Sequence, residues 1–349
     1  MYFYPIAIII IMYLRSVEWL SDKIRIIDQN LLPNKLVYKD LTSLEEVADA
    51  IKSMKVRGAP LIGVVAALGL ALVAKRSRSK GKELLKILYD AYKLLASTRP
   101  TAVNLFNAMD KVLEETKKNP SPDMVELAAK RILDSEVYNN KKISEYGIKI
   151  FDGNDSVLTH CNTGSLAAVE IGTALGVVIE GVKKGLVDKV YITETRPKLQ
   201  GARLTAFELL YADIKPILIV DSAAPFLIKK GLIDVVIVGA DRILRDGTVY
   251  NKIGTYSLAL SAYMNGVDFY VAAPTTTFDL ESSRDEIEIE VRDGNEIIRF
   301  GGCEVAPSDV DTFNIAFDET PPEYVTGIIT EKGILSPPYE ESILSVVEV

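Results

Sequence analysis

The stretch Ser156–Val157–Leu158–Thr159–His160–Cys161–Asn162–Thr163–Gly164–Ser165–Leu166–Ala167 reads as a β-branched strand, a polar glycine-containing turn, and the start of a helix-forming segment, Leu166–Ala174. The unit recurs down the chain. Short apolar runs at Val157–Thr159, Val190–Thr193, Ile217–Val220, Val235–Val238 and Phe269–Ala272 alternate with helical patterns at Leu166–Ile171, Ala202–Tyr211, Ala223–Lys229 and Thr255–Met264. Strands of nearly unbroken Val, Ile and Leu belong to a parallel sheet covered by helices on both faces. The expectation is an α/β fold whose residues 153–349 form a Rossmann-like parallel-sheet domain. The turn cluster Asp152–Gly153–Asn154–Asp155 marks its start.

Residues 15–152 read differently, as a mainly helical domain carrying a few short strands. Strands are expected at Ser16–Trp19, Ile24–Asp28 and Leu36–Tyr38. The capping box Ser43–Leu44–Glu45–Glu46 opens a helix that ends at Arg57–Gly58–Ala59–Pro60. Helical periodicity continues over Leu61–Ala74, Lys82–Ala96, Ala102–Lys117 and Asp123–Phe151. Residues 1–14 are an apolar extension, too short for a membrane span and without the basic start of a secretory signal. A mis-assigned start, with Met12 as initiator, is the expectation.

Among 349 residues the net charge is −8, so no global positive field draws in nucleic acid or an anionic membrane. An anionic ligand needs a local basic site. Two cysteines, Cys161 and Cys303, allow at most one bridge and show no zinc spacing, which points to a reducing cytoplasmic setting. There is no G-x-G-x-x-G fingerprint at the first strand and no Walker loop, so a dinucleotide or nucleoside triphosphate reading lacks its main support.

Ligands of open parallel sheets bind beyond the carboxyl ends of the strands. Those ends carry Cys161–Asn162–Thr163–Gly164, then Glu194–Thr195–Arg196–Pro197 with Gln200–Gly201. Asp221–Ser222 follows, with Ser222 as an N-cap, and last Gly239–Ala240–Asp241–Arg242 with Asn251–Lys252. Asp221 could simply cap, Glu194 and Arg196 could pair, and Arg242 could be a surface charge. Asp241 is delivered from a buried strand, where desolvation raises a carboxyl pKa toward that of a general acid. Cys161 reads either as a core thiol or as a reactive one whose pKa a helix N-terminus lowers. His160 is adjacent on the strand, points to the opposite face, and is given a structural role. Arg57 and Arg99 each sit at a helix junction beside proline and small residues, as two forks for one anion. Cys303 is left unassigned between a further rim residue and a buried structural one, the structural reading being the commoner for a free cysteine.

Taken in order, Arg57–Gly58–Ala59–Pro60, Ser97–Thr98–Arg99–Pro100–Thr101, Thr159–His160–Cys161–Asn162–Thr163–Gly164, Glu194–Thr195–Arg196–Pro197, Gln200–Gly201–Ala202–Arg203–Leu204–Thr205, Gly239–Ala240–Asp241–Arg242 and Asn251–Lys252–Ile253–Gly254–Thr255–Tyr256 resemble the methylthioribose-1-phosphate isomerase family. The likeness runs from about Val17 to Tyr339, within a superfamily that includes ribose-1,5-bisphosphate isomerase and initiation-factor-2B regulatory subunits. It implies an aldose–ketose isomerase of methionine salvage, a cytoplasmic homodimer that requires no metal or organic cofactor. It implies that Asp241 and Cys161 are catalytic, as proton donor and transition-state stabiliser. Arg57, Gly58, Ala59, Arg99, Gln200, Asn251 and Lys252 would bind the sugar phosphate. On this reading Arg57, Arg99 and Lys252 hold the phosphate, and a helix N-terminus at Asn162–Ser165 stabilises developing negative charge. Val169 and Glu170, where the family tends toward glycine, are expected to alter the pocket wall.

Overall fold

The computed structural model describes residues 13–100 and 102–347. The proposed initiator Met12 and the apolar run before it lie outside the described residues.

Three antiparallel strands open the chain: β1 (Val17–Trp19), β2 (Ile24–Ile27) and β3 (Tyr38–Leu41). The third lies downstream of the expected Leu36–Tyr38, because Tyr38–Leu41 is the segment in register with β2. Next come α1 (Leu44–Lys52), α2 (Ala59–Ser77), α3 (Gly81–Ala96), α4 (Val103–Lys118) and α5 (Pro122–Gly147). Half of the expected capping box forms. The Ser43 hydroxyl accepts the Glu46 N–H, while the Glu46 carboxylate takes the N–H and hydroxyl of Thr42 instead. Helix α2 is apolar all round, and its companions α1, α3, α4 and α5 bury it. Helix α5 stops at Gly147, short of Phe151, with a 3-10 turn beyond it.

The second half contains β4 (Asp155–Thr159), α6 (Ala174–Lys183), β5 (Val187–Thr193), α7 (Ala206–Tyr211), β6 (Ile217–Ile219), α8 (Ala224–Lys229), β7 (Val235–Val238), β8 (Arg242–Leu244), β9 (Val249–Lys252), α9 (Thr255–Asn265) and β10 (Asp268–Ala272). It continues with β11 (Phe278–Asp279), β12 (Val291–Arg292), α10 (Asn295–Ile298), β13 (Arg299–Phe300), β14 (Cys303–Glu304), β15 (Asn314–Ile315), β16 (Phe317–Thr320), β17 (Gly327–Thr330), β18 (Gly333–Leu335) and α11 (Tyr339–Val347). The main sheet has the order β18-β17-β10-β7-β4-β5-β6 and is parallel except for the edge strand β18. Separate apolar clusters cover its two faces. The fold is therefore α/β, as read, with two additions the sequence reading missed. These are the β17–β18 edge and a smaller sheet, β11-β8-β9-β16, that carries Asn251 and Lys252.

Two local expectations fail for identifiable reasons. No helix forms at Leu166–Ile171; α6 begins only at Ala174. The carbonyls such a helix would use internally are taken from outside. Leu166 O accepts from Gln29, Ala167 O from the Leu61 N–H, and Val169 O from the Ser16 N–H. Tertiary partners thus override local propensity. Ser222 is not an N-cap either, since it lies inside a 3-10 turn, Asp221–Ala223, that leads into α8.

Gly58 couples the two halves. It is the N-cap of α2 at φ +98°, and a Cβ there would stand 2.5 Å from the carbonyl oxygen of Ala167. Both the dihedral and the contact require glycine. Gly58→Ala should lower the unfolding free energy by about 2 kcal/mol or more. Denaturant titration checks this, and an unchanged midpoint would contradict it.

Candidate active site

Beyond the carboxyl ends of β4, β5, β7 and β10 lies a narrow, partly enclosed cleft lined by residues from both halves of the chain. The residues expected from the sequence to catalyse or to bind substrate all line it: Arg57, Gly58, Ala59, Arg99, Cys161, Gln200, Asp241, Asn251 and Lys252. Arg57, Gly58 and Ala59 come from the start of α2, and Arg99 from the α3–α4 connection. Asn251 and Lys252 come from the end of β9.

Cys161 ends β4 in a left-handed conformation, φ +63°, uncommon and strained for a residue other than glycine. Two threonines pin it: Thr195 Oγ1 accepts the Cys161 N–H at 2.9 Å, and Thr205 Oγ1 donates to its carbonyl at 2.6 Å. Thr205 lies on the π-turn Gly201–Thr205 that replaces the first turn of the expected Ala202–Tyr211 helix. Below this turn the buried Glu208 accepts from Asn162 Nδ2 (2.6 Å), Ser165 Oγ (2.6 Å) and the Leu166 N–H (3.3 Å). Because Nδ2 of Asn162 serves Glu208 and Thr205, its Oδ1 is left to face Arg57, which donates to it and to the Asn162 carbonyl.

Of the two readings open for Cys161, the site does not produce the lowered pKa. Burial pushes the thiol up and outweighs Arg57 and Lys252, which pull it down. With no helix beginning at Asn162–Ser165, that source of field is absent. The N-terminus of α2 at Gly58–Ala59 faces the cleft in its place. Asp241 behaves as read: burial holds its carboxyl above the ordinary range against Lys252, Arg99 and Arg57, and Glu290 adds to the rise. Burial also presses the Arg57 and Lys252 pKa values down. Gln200 and Asn251 are buried, and Gln200 Oε1 has no partner.

Other strand-end residues serve the scaffold. Asp221 binds the backbone N–H groups of Thr195 and Arg196 at 2.7 Å each. Arg196 donates to the Pro197 and Ile297 carbonyls and stacks on Phe300 rather than pairing with Glu194. Arg242 pairs with Asp279 at 3.0 Å. His160 is buried, with Nε2 3.0 Å from the Ile253 carbonyl and Nδ1 2.6 Å from Thr193 Oγ1. A carbonyl only accepts, so Nε2 carries the proton and Nδ1 accepts the threonine hydroxyl. Val169 and Glu170 stay out of the cleft wall, the first in the helical core and the second paired with Arg15; Ala167 and Ala168 line it. Cys303 is exposed on the β13–β14 hairpin, not buried.

Residues 281–316 supply what sequence reasoning missed. From this excursion Arg292, Glu296 and Asn314 reach the cleft, joined by Lys198 after β5 and Met54 after α1. Two-residue strands and a four-residue helix leave no periodicity to find.

The sequence profile of the initiation factor 2 subunit family matches residues 55–337. A Methanocaldococcus jannaschii protein named putative methylthioribose-1-phosphate isomerase is 49% identical over 330 residues, 94% of this chain and 97% of that one. A Carboxydothermus hydrogenoformans protein named methylthioribose-1-phosphate isomerase is 47% identical, covering 94% and 97%. The crystal structure of 5-methylthioribose 1-phosphate isomerase from Pyrococcus horikoshii superposes with a TM-score of 0.87 at 42% identity, covering 96% of each chain. A structure described as translation initiation factor eIF-2B, subunit delta, from A. fulgidus gives 0.84 at 45%, covering 96% and 100%.

Burial holds the His160 pKa at about 4, below the ordinary 6.5. Below pH 6.5 the unfolded chain takes up a proton that the folded one refuses. Stability owed to neutral His160 is therefore lost as pH falls from 6.5 toward 4, by up to about 3 kcal/mol. Chemical denaturation should show this loss in the wild type and not in His160→Gln; parallel pH curves would contradict it.

Proposed function

Because the chain belongs to the initiation factor 2 subunit family, and within it to the methylthioribose-1-phosphate isomerases, we propose that it is an aldose–ketose isomerase converting S-methyl-5-thioribose 1-phosphate to S-methyl-5-thioribulose 1-phosphate. The observation that carries the reading is the shared cleft. A thiol (Cys161), a carboxyl raised by burial (Asp241) and cations for one phosphate (Arg57, Arg99, Lys252) line a single cavity. On this reading the protein is a cytoplasmic homodimer working in methionine salvage.

A phosphate on the anomeric oxygen blocks the spontaneous ring opening of a free sugar, so the enzyme must protonate the ring oxygen. Asp241, whose carboxyl burial raises above the ordinary range, gives its proton to the ring oxygen as the C1–O bond of the ring breaks. Hydrogen then passes from C2 to C1, and the C2 hydroxyl returns its proton to the Asp241 carboxylate as the C2 carbonyl forms. Cys161 lies on the cleft wall to assist that transfer, with Arg57 and the N-terminus of α2 to stabilise negative charge as it develops. Enclosure of the site strengthens each of these interactions.

Two other readings have support. Ribose-1,5-bisphosphate isomerase shares the thiol and carboxyl chemistry. The A. fulgidus structure, by its description, favours a regulatory subunit. The Cys161–Asp241 pair argues for catalysis over regulation, because a regulatory role needs neither.

The test is turnover followed by NMR with methylthioribose 1-phosphate and ribose 1,5-bisphosphate side by side. The first should be converted, and Asp241→Asn and Cys161→Ser should each cost about 100-fold or more in kcat while remaining folded. Near wild-type turnover in either variant removes its role. Since Asp241 must be protonated, kcat/KM should fall as pH rises through its elevated pKa; a rise over that interval would contradict the assignment. Arg99→Ala should raise KM by roughly tenfold, as loss of a charged hydrogen bond does.

A further inference from the structure

The cations of the cleft divide by the company they keep. Arg57 is held by Gln29 Oε1 at 3.2 Å and by the side-chain and backbone oxygens of Asn162. Lys252 donates to the Ala316 carbonyl at 2.9 Å and lies 4.4 Å from the centre of the Phe317 ring. All these partners are neutral, and among the described residues neither cation forms an ion pair.

Arg292 and Lys198 are the opposite. Glu296 receives Arg292 Nε at 2.9 Å and Nη2 at 2.7 Å as a fork, and Glu290 receives Nη1 at 3.1 Å. Met54 Sδ stands 3.5 Å from Nη2. Four of the five guanidinium N–H groups are thereby engaged. Lys198 Nζ lies 3.4 Å from Glu296, and Asn314 Nδ2 donates to the same carboxylate at 3.2 Å. Arg99 also belongs to this cluster, with Nη2 3.4 Å from Glu290.

The cleft thus holds two cations that no carboxylate touches, Arg57 and Lys252, and a cluster in which Glu290 and Glu296 already hold Arg292, Lys198 and Arg99. A phosphate at Arg57 and Lys252 displaces only neutral contacts. A phosphate at Arg292 must expel a bidentate carboxylate or sit beside two negative charges, in a partly desolvated site where repulsion is weakly screened. We infer that Glu290 and Glu296 make the Arg292 cluster of the cleft reject a second phosphate, so that the site selects sugar 1-phosphates whose other substituent is uncharged. The inference rests on the isomerase reading above and adds to it the residues that exclude the bisphosphate.

Isothermal titration calorimetry on the full-length protein tests it with ribose 1-phosphate and ribose 1,5-bisphosphate. The second phosphate should add nothing to affinity; bisphosphate binding about tenfold tighter than monophosphate would overturn the inference. Glu296→Gln leaves Lys198 and part of Arg292 without an anion, so bisphosphate affinity should rise about tenfold. That gain should vanish in Glu296→Gln/Arg292→Met. A folded Glu296→Gln protein that still binds the monophosphate but shows no gain would also overturn it. If that variant does not fold, the wild-type comparison decides alone. Turnover of methylthioribose 1-phosphate is read in parallel. Turnover with tight bisphosphate binding defeats the selectivity argument only, whereas no turnover with weak bisphosphate binding defeats the isomerase reading only. Silence toward all three sugars defeats both.

Discussion

Arg57 carries its charge into the interior with only neutral atoms against it, and much of the architecture follows from keeping it there. Its guanidinium comes from the start of α2, while the atoms that hold it belong to Asn162, beyond β4, and to Gln29. The helical layer and the parallel sheet therefore meet at one cation. Gln29 reaches on to the Leu166 carbonyl, and Gly58 passes within contact distance of Ala167. An uncompensated buried charge is costly, so the arrangement persists only because every fixed dipole around it is aimed. An anionic ligand completes what the protein leaves unfinished.

The same logic runs through the turn at Cys161. A left-handed backbone there is strained, and hydrogen bonds from two threonine hydroxyls hold it. Glu208, wholly enclosed, fixes the Asn162 amide and so the face it shows to Arg57. Ionisable groups brought into this enclosure move toward neutrality: the Cys161 thiol and the Asp241 carboxyl are pushed up, and Lys252 is pushed down. A site built this way exchanges charge readily with a substrate that brings its own.

How much of this was legible in the sequence depends on the range of the interactions. The sheet strands are short unbroken apolar runs, so β4, β5, β7 and β10 and the residues at their ends could be located from pattern alone. The helix expected at Leu166–Ile171 could not be tested locally, because Ser16, Gln29 and Leu61, far away in the chain, claim its carbonyls. The two readings of Cys161 stayed open for a related reason: a turn's field is a local property, but desolvation is set by everything packed around it. Residues 281–316 gave no signal, since pairs such as Val291–Arg292 with Asn314–Ile315 are too short for a period. Yet they supply Arg292 and Glu296, two of the seven charged side chains that line the cleft.

The central claim is that enclosure holds the Asp241 carboxyl above the ordinary aspartate range. Carbon NMR of protein labelled at the aspartate carboxyls, titrated for the wild type and for Asp241→Asn, measures this without reference to turnover. The account predicts one wild-type resonance, absent from the variant, that titrates above the ordinary aspartate range and reports a protonated acid where the other surface carboxyls are ionised. An Asp241 resonance that titrates with the exposed aspartates would contradict it.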